Sequence, residues 1–183
     1  MKRHQARSVL MLTLAVAGSL SARDVLREGE EYRVCQAFLA SPYAEKPHDL
    51  LYEKLGIFFI YNVKHEDPEA LRAFLRSRAS LELDAGLAKD FVTINRHPVR
   101  IDRKQFPAST RYATQFIQQD VYSLSRVGFN ARRDEALLYA SFSSLREDGH
   151  GPLVHLRKQG GTWIVITAAA VWMYGASVHP FNP

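Results

Sequence analysis

A carboxylate and two imidazoles lie close together in the sequence, at Asp148, His150 and His155. An imidazole held by a carboxylate can act as a general base, and neutral imidazoles are common metal ligands. Side chains alternate between the two faces of a β-strand, so histidines five positions apart on one strand lie on opposite faces. The spacing therefore disfavours a shared metal site. We interpret the three residues as polar residues of a turn together with a histidine on the surface of a strand.

A second polar group is basic. Arg96, His97 and Arg100 lie close together, and two further basic residues follow at once. Such a cluster can bind an anion, with Arg96 and Arg100 as ligands, or it can be a solvated connection. The second interpretation is favoured because Asp102 is interleaved and no aromatic residues alternate with the charges.

Motifs of familiar catalytic centres are absent from the sequence. It contains no nucleophile elbow, no phosphate-binding loop and no HExxH zinc motif. Its one cysteine, Cys35, cannot form an intramolecular disulfide. Cys35 lies between Tyr32 and Phe38 in an apolar stripe, which predicts a small buried side chain. We predict no cofactor and no metal.

The first residues are typical of a secretory signal peptide. Lys2, Arg3 and Arg7 are basic, an apolar run covers residues 8–20, and small residues precede the charged start at Arg23. The run is shorter than the about 20 residues that span a bilayer, which favours a cleaved leader, residues 1–22, over a retained anchor. We expect a periplasmic or secreted protein with no stable membrane span after cleavage.

Charge and length limit the partners and the number of domains. The chain has 24 basic and 19 acidic side chains, and three basic ones lie in the leader, so 21 against 19 leaves a net charge of +2. This balance does not require a basic face, and no nucleic-acid partner is expected. The remaining residues, 23–183, suit a single domain with a sizeable core.

Four consecutive β-strands are predicted in the second half of the chain, over residues 121–130, 135–145, 151–158 and 162–174. The connections ARRD, REDGH and QGG are rich in turn formers. Each strand is therefore expected to pair antiparallel with the next, as a meander.

The alternation of apolar residues predicts which side chains share a face. In the first strand, Val127 and Phe129 should lie opposite to Tyr122 and Leu124. In the second strand, both faces are apolar: one carries Leu137 and Tyr139, and the other carries Ala136, Leu138, Ala140 and Phe142. Gly128 within the first strand predicts a bulge or a close approach by another backbone.

Helices are predicted before the meander. Apolar residues at spacings of three and four indicate a helix over residues 23–40, with Glu30 and Glu31 on its solvent side. Asp67 followed by Pro68 is a start signal for a helix to about residue 78. A second short helix is predicted within residues 81–95.

A β-branched and aromatic segment, residues 50–63, predicts a buried strand that could join the edge of the meander. The expected fold class is α+β, with N-terminal helices packed on a curved, mainly antiparallel sheet built around the C-terminal four-stranded meander.

The meander resembles a group of uncharacterised bacterial exported proteins. The resemblance lies in LSRVGFN (124–130), ALLY (136–139) and GPLVHLRKQGGTWIVI (151–166), with a second tryptophan at 172, and GLAKDFVTIN (86–95) is similar to the helix before the meander in that group. Relatives often carry cysteines in the second connection, where this chain has Ser143, Ser144 and His150. The resemblance implies an exported α+β domain and no particular reaction.

Two functional hypotheses follow. The first is a non-catalytic exported domain whose helices cover one face of the sheet and leave a groove for a small ligand or a protein partner, with aromatic residues such as Tyr139 and Trp163 in the core or the pocket. The alternative is a hydrolase-like enzyme that uses His150 or His97 as a base in the concavity of the sheet. An enzyme would need a nucleophile or water beside that base, and the sequence shows no such set.

Overall fold

The computed structural model describes residues 22–44, 50–56, 66–114, 121–143 and 149–174. The leader before residue 22, residues 57–63 of the predicted strand, and Asp148 lie outside the described residues. In chain order the elements are α1 (Ala22–Leu39), β1 (Leu50–Leu55), α2 (Pro68–Ala79), α3 (Ala85–Ile94), β2 (Val99–Arg100), a 3₁₀ turn (Arg103–Gln105), β3 (Arg111–Ala113), β4 (Val121–Leu124), β5 (Gly128–Phe129), β6 (Glu135–Ser143), β7 (Gly149–Gln159) and β8 (Thr162–Tyr174).

The predicted α+β class is confirmed. Eight strands form one sheet in the order β2-β1-β4-β6-β7-β8, with β3 beside β1 and β5 beside β6. The pairs from β4 to β8 are antiparallel, as the meander predicts. Strand β1 joins the open side of β4 in parallel, which makes the sheet mixed.

The helices begin where the sequence provides side-chain caps. The Asp67 carboxylate accepts a hydrogen bond from the Glu69 backbone N–H at 2.9 Å, and Pro68 opens α2. The Asp84 carboxylate accepts from the Leu87 N–H at 2.9 Å and starts α3. Both caps satisfy backbone donors that the first helical turn leaves without a partner.

The core is divided between the two faces of the sheet. Leu137 and Tyr139 of β6 pack in a cluster with side chains of α2 and α3. Their neighbours Ala136, Leu138, Ala140 and Phe142 pack in the other cluster, which contains the buried side of α1. The predicted alternation of β6 is confirmed. The hypothesis that the helices cover one face is wrong, because α1 lies on one face while α2 and α3 lie on the other.

The first predicted strand is broken in the middle. Strand β4 ends at Leu124 and β5 begins at Gly128, so three buried residues lie between them. Ser125 stays attached to β6, because its N–H donates to the Tyr139 carbonyl at 2.8 Å and its Oγ accepts from the Tyr139 N–H at 2.9 Å.

The break shifts the alternation of side chains between the two faces of the sheet by one residue. Tyr122 and Leu124, before the break, and Val127 and Phe129, after it, all belong to the cluster that contains α1. The prediction that these pairs lie on opposite faces is therefore wrong, because it assumed a continuous period of two. We name residues 125–127 the strand break.

Gly128 lets α3 approach the sheet closely, as predicted. A Cβ at this position would lie 2.5 Å from the Phe91 Cβ and 2.7 Å from the Phe91 backbone nitrogen. A backbone atom cannot yield as the end of a flexible side chain does. The helix would have to move away from β5 to accept any side chain here.

We expect Gly128→Ala to lower the free energy of unfolding by about 1–3 kcal/mol, the usual cost of overpacking a core. The control is Gly29→Ala in α1, where a Cβ meets nothing within 4 Å. That variant should gain about 0.5–1 kcal/mol from helix propensity. Urea unfolding followed by circular dichroism measures both, and equal stability of the two variants would contradict the close approach.

Candidate functional site

The strand break places a guanidinium group in the interior. Arg126 Nε and Nη2 donate to the two carboxylate oxygens of Glu31 on α1, each at 2.7 Å. Only 6% of Arg126 and 1% of Glu31 are exposed. The pair therefore has the parallel two-bond geometry that gives arginine–carboxylate contacts their strength and direction.

The ion pair extends into a chain of four alternating charges. Arg27 Nε donates to Glu31 Oε1 at 3.1 Å, and its two Nη atoms donate to the Asp90 carboxylate at 3.2 and 2.8 Å. Asp90 Oδ2 also accepts the Phe129 backbone N–H at 2.8 Å. Burial alone would lower the pKa of Arg27, but hydrogen bonds and charge from Asp90 and Glu31 raise it. The chain Arg126–Glu31–Arg27–Asp90 joins α1, α3 and the strand break, and we call it the charge chain.

An asparagine completes the backbone of the break. The Arg126 N–H donates to Asn95 Oδ1 at 2.8 Å, and Asn95 Nδ2 donates to the Arg126 carbonyl at 2.9 Å. A side-chain amide has the same donor and acceptor as a peptide group. Asn95, at the end of α3, thus replaces the strand partner that Arg126 lacks.

A small cavity of about 90 Å³ lies beside the charge chain. At roughly 30 Å³ of liquid volume for each water molecule, it has room for a few waters. The Tyr32 hydroxyl oxygen accepts the Asp102 N–H at 2.6 Å. The lining residues are Glu28, Glu31, Tyr32, Leu55, Val99, Arg100, Asp102 and Arg126.

A larger groove of about 660 Å³ opens between the C-terminal half of α1 and the connection from β2 to β3. Pockets for small molecules usually measure about 300–1,000 Å³ and combine apolar walls with a few polar groups. This groove has both kinds of residue, and we call it the α1 groove. It is lined by Gln36, Leu39, Ala40, Leu51, Lys104, Gln105, Phe106, Pro107, Ser109 and Thr110.

The far wall of the α1 groove is held in place by local hydrogen bonds. The Asp102 carboxylate caps the 3₁₀ turn by accepting the Lys104 N–H at 3.1 Å. The Phe106 ring packs edge-on against Tyr32 of α1, with ring centroids 5.5 Å apart. Gln36 Nε2 donates to the Gln105 carbonyl, which connects the two walls directly.

The connection from β2 to β3 forms most of this wall, and its basic residues differ in their ion pairing. Arg100 and Arg103 both form ion pairs with Glu53 of β1, at 3.2 and 3.5 Å. The Arg103 guanidinium also lies 4.8 Å from the centre of the Tyr112 ring. Lys104 forms no ion pair with any described residue, and it is the one charged side chain among the described residues that line the groove.

Arg96 and His97 lie at the start of that connection. Both side chains are exposed. The His97 carbonyl accepts a hydrogen bond from Arg126 Nη1 at 3.3 Å. The backbone of His97 therefore supports the charge chain, while the imidazole lines neither the cavity nor the groove.

The structure keeps His150 and His155 apart. The His150 ring lies against Tyr122 and Phe142, with centroids 6.4 and 5.7 Å away, on the face that α1 covers. His155 faces the other side, opposite Leu137 of β6. It is only 3% exposed, so its interpretation as a strand-surface residue is wrong. Helices on both faces bury this part of the sheet.

Tyr139 and Trp163, the aromatic candidates, both lie in the core. Tyr139 belongs to the cluster with α2 and α3. Trp163 belongs to the cluster with α1, and its Nε1 donates to Glu30 Oε2 at 2.8 Å. Burial tends to raise the pKa of Glu30, but hydrogen bonds from Trp163 and Lys158 lower it. Neither ring lines the α1 groove.

Glu31 and Arg126 were missed at the level of the sequence. Glu31 was predicted on the solvent side of α1, although Glu31, Cys35 and Phe38 follow the spacing of the buried stripe. Arg126 is the one charged residue in the predicted strand of residues 121–130. A buried carboxylate and a buried arginine in adjacent elements must be paired, which is the signal that could have identified them.

Comparisons with protein-family models, with curated proteins and with solved structures find no match for this chain. The resemblance of the meander to exported proteins stays a prediction. Within the described ranges, no three histidine, cysteine or acidic side chains come together as metal ligands. No helix in the described part of the chain has both the length and the apolar character needed to cross a membrane.

We expect Arg126→Met to cost about 3–5 kcal/mol of unfolding free energy, because it leaves the buried Glu31 carboxylate short of a partner. The double variant Glu31→Leu with Arg126→Met removes both charges and should recover much of that loss. Urea unfolding of the two single variants and the double variant gives the coupling energy. Additive effects would show that the two residues do not depend on each other.

We expect the protein to lose stability below about pH 6.5 through His155. Burial lowers the pKa of His155 from its ordinary value of 6.5, the Arg157 charge lowers it further, and Glu135, whose Oε2 lies 3.9 Å from Nε2, opposes the shift. The unfolded chain therefore binds the proton more readily, so this contribution is fully present above pH 6.5 and is lost as the pH falls.

His155→Leu should remove this part of the pH dependence. The measurement is the urea midpoint at several pH values on both sides of 6.5. His97→Leu is the matched control, since His97 is exposed. Equal pH profiles for the His155 variant and the unchanged protein would contradict the prediction.

Proposed function

We propose that this protein is an exported, non-catalytic domain that binds a small amphipathic molecule with an anionic group in the α1 groove. The observation that supports it is the groove itself, about 660 Å³ with a mixed apolar and polar lining. This volume suits a small molecule. A stable protein interface involves about 20–30 residues on each side, whereas ten described residues line this groove, which favours the small ligand over the protein.

The apolar part of the lining can hold the body of such a molecule. Leu39 and Ala40 of α1, Leu51 of β1, and Phe106 with Pro107 on the connection supply aliphatic and aromatic surface. Burial of apolar surface is the main favourable contribution to binding in such sites.

Lys104 supplies the charge complementary to an anion. The neighbouring Arg100 and Arg103 share the single carboxylate of Glu53, which neutralises one of their two charges, and neither arginine lines the groove. A lysine ammonium on a flexible stem can reach a carboxylate, sulfonate or phosphate without fixed geometry. Ser109 and Thr110 add hydroxyl groups at the same wall.

Contacts within the protein hold both walls of the groove. The capped 3₁₀ turn and the hydrogen bond from Gln36 to Gln105 fix both walls. A preformed site does not need to order its loops on binding, so more of the contact energy remains as affinity.

Export is supported by the N-terminal residues. The basic start and the short apolar run predict cleavage after residue 22. The described elements run from Ala22 onwards, so this cleavage would leave the groove and its two walls in the mature chain. We propose that the ligand is encountered in the periplasm or outside the cell.

Anilinonaphthalene sulfonate, an aromatic anion, is a suitable probe of the groove. We expect it to bind the purified protein with enhanced fluorescence. Lys104→Glu should weaken binding about 1.4- to 5-fold, since an exposed ion pair contributes about 0.2–1 kcal/mol. Thr110→Trp should weaken it further by filling the groove.

Lys89→Glu is the matched control, because it makes the same charge change at an exposed position of α3 that does not line the groove. The proposal fails if Lys89→Glu and Lys104→Glu weaken the probe equally, or if Thr110→Trp leaves binding unchanged in a folded protein. Native mass spectrometry of protein isolated from the export compartment then identifies a co-purifying ligand by its mass.

A further inference from the structure

The two edges of the sheet are very different. One edge ends in β2, which has two residues, and β3 beside β1 has three. The opposite edge is β8, which has 13 residues and pairs with β7 alone among the described strands. Short edge strands protect a sheet against pairing with other chains, and a long edge strand offers a template for it.

Strand β8 lacks the usual protective residues. Its sequence, TWIVITAAAVWMY, contains no charged residue and no proline. Lysine and proline on an edge strand oppose the addition of another strand. Two register shifts against β7 are the remaining irregularities, between Gly151 and Pro152 and between His155 and Leu156.

Ile166 lies at one of these shifts. His155 pairs with Thr167 and Leu156 pairs with Val165, so Ile166 has no partner on β7. Its side chain is 38% exposed, and it is the one large apolar side chain that is exposed among the described residues. The bulge therefore presents an apolar side chain to solvent in the first half of the edge strand.

We propose that β8 pairs with β8 of a second copy of this chain, antiparallel about a two-fold axis near Ile166. Three features favour a second copy as the partner. About that axis residues 162–170 of the two copies pair with one another, neither segment brings a charge to be desolvated, and the two exposed isoleucines lie close to the axis. The two-residue β2 edge offers no comparable match.

Pairing through β8 limits the assembly to two copies. Two-fold pairing uses the long edge of each copy, and among the described strands the short ones of the other edge then stay at the boundary of the sheet. The product is a dimer with one sheet that continues through both copies. This inference does not rest on the proposed ligand, because β8 does not line the α1 groove.

Analytical ultracentrifugation of the purified protein tests the proposal. We expect a dimer at micromolar concentration, and a monomer for Ile166→Lys, which places two like charges beside the axis. Ala73→Lys adds the same charge at an exposed position of α2 and should remain dimeric. Circular dichroism should show that both variants are folded. A monomeric unchanged protein, or a dimer that Ile166→Lys does not dissociate, overturns the proposal.

A spin label locates the interface independently. Cys35 is buried, so a nitroxide can be attached selectively at Ile166→Cys. Pairing near the axis predicts strong dipolar broadening in the dimer, which dilution with unlabelled protein removes. A labelled dimer without broadening would show that the copies meet elsewhere. A monomer that instead pairs with an added β-strand peptide would also reject the second copy as the partner.

Discussion

The bidentate contact between Arg126 and Glu31 is the interaction on which the arrangement of the elements depends. It fixes α1 to the strand break on one side, while Arg27 and Asp90 extend the contact to α3. Two buried charges are costly to remove from water, and their attraction offsets that cost only with good geometry. The charge chain therefore specifies where the elements meet more than it adds net stability. Apolar packing on both faces supplies the greater part of the stability.

The charge chain also determines where open space remains. It fixes α1 at Arg27 and Glu31, and the C-terminal half of the helix extends past the end of the charge chain to Gln36 and Leu39. That half meets the β2–β3 connection without filling the space between them. The small cavity lies beside the charges, and the α1 groove lies further along the same helix.

Local signals predicted most of the elements, and long-range polar contacts explain the errors. Asp67 and Pro68 identified the start of α2, and the alternation in β6 gave the correct faces. The strand break could not be predicted from alternation, because Asn95, 31 residues earlier, supplies the hydrogen bonds that a regular strand would otherwise need. The placement of helices on both faces of the sheet depends on such long-range contacts, and so does the α1 groove. The periodicity of the sequence therefore predicts neither. The same holds for His155, whose burial requires helices on both faces.

The separation of Glu31 from Arg126 along the chain has a consequence for the order of folding. The two residues are 95 positions apart, whereas β6, β7 and β8 are joined by short connections and α2 is followed directly by α3. Closing a long loop costs chain entropy before its contacts form, so local hairpins and helix pairs have the kinetic advantage. We therefore expect α1, the first of the described elements, to be the last to dock. Helix α1 would then remain accessible until the meander is complete.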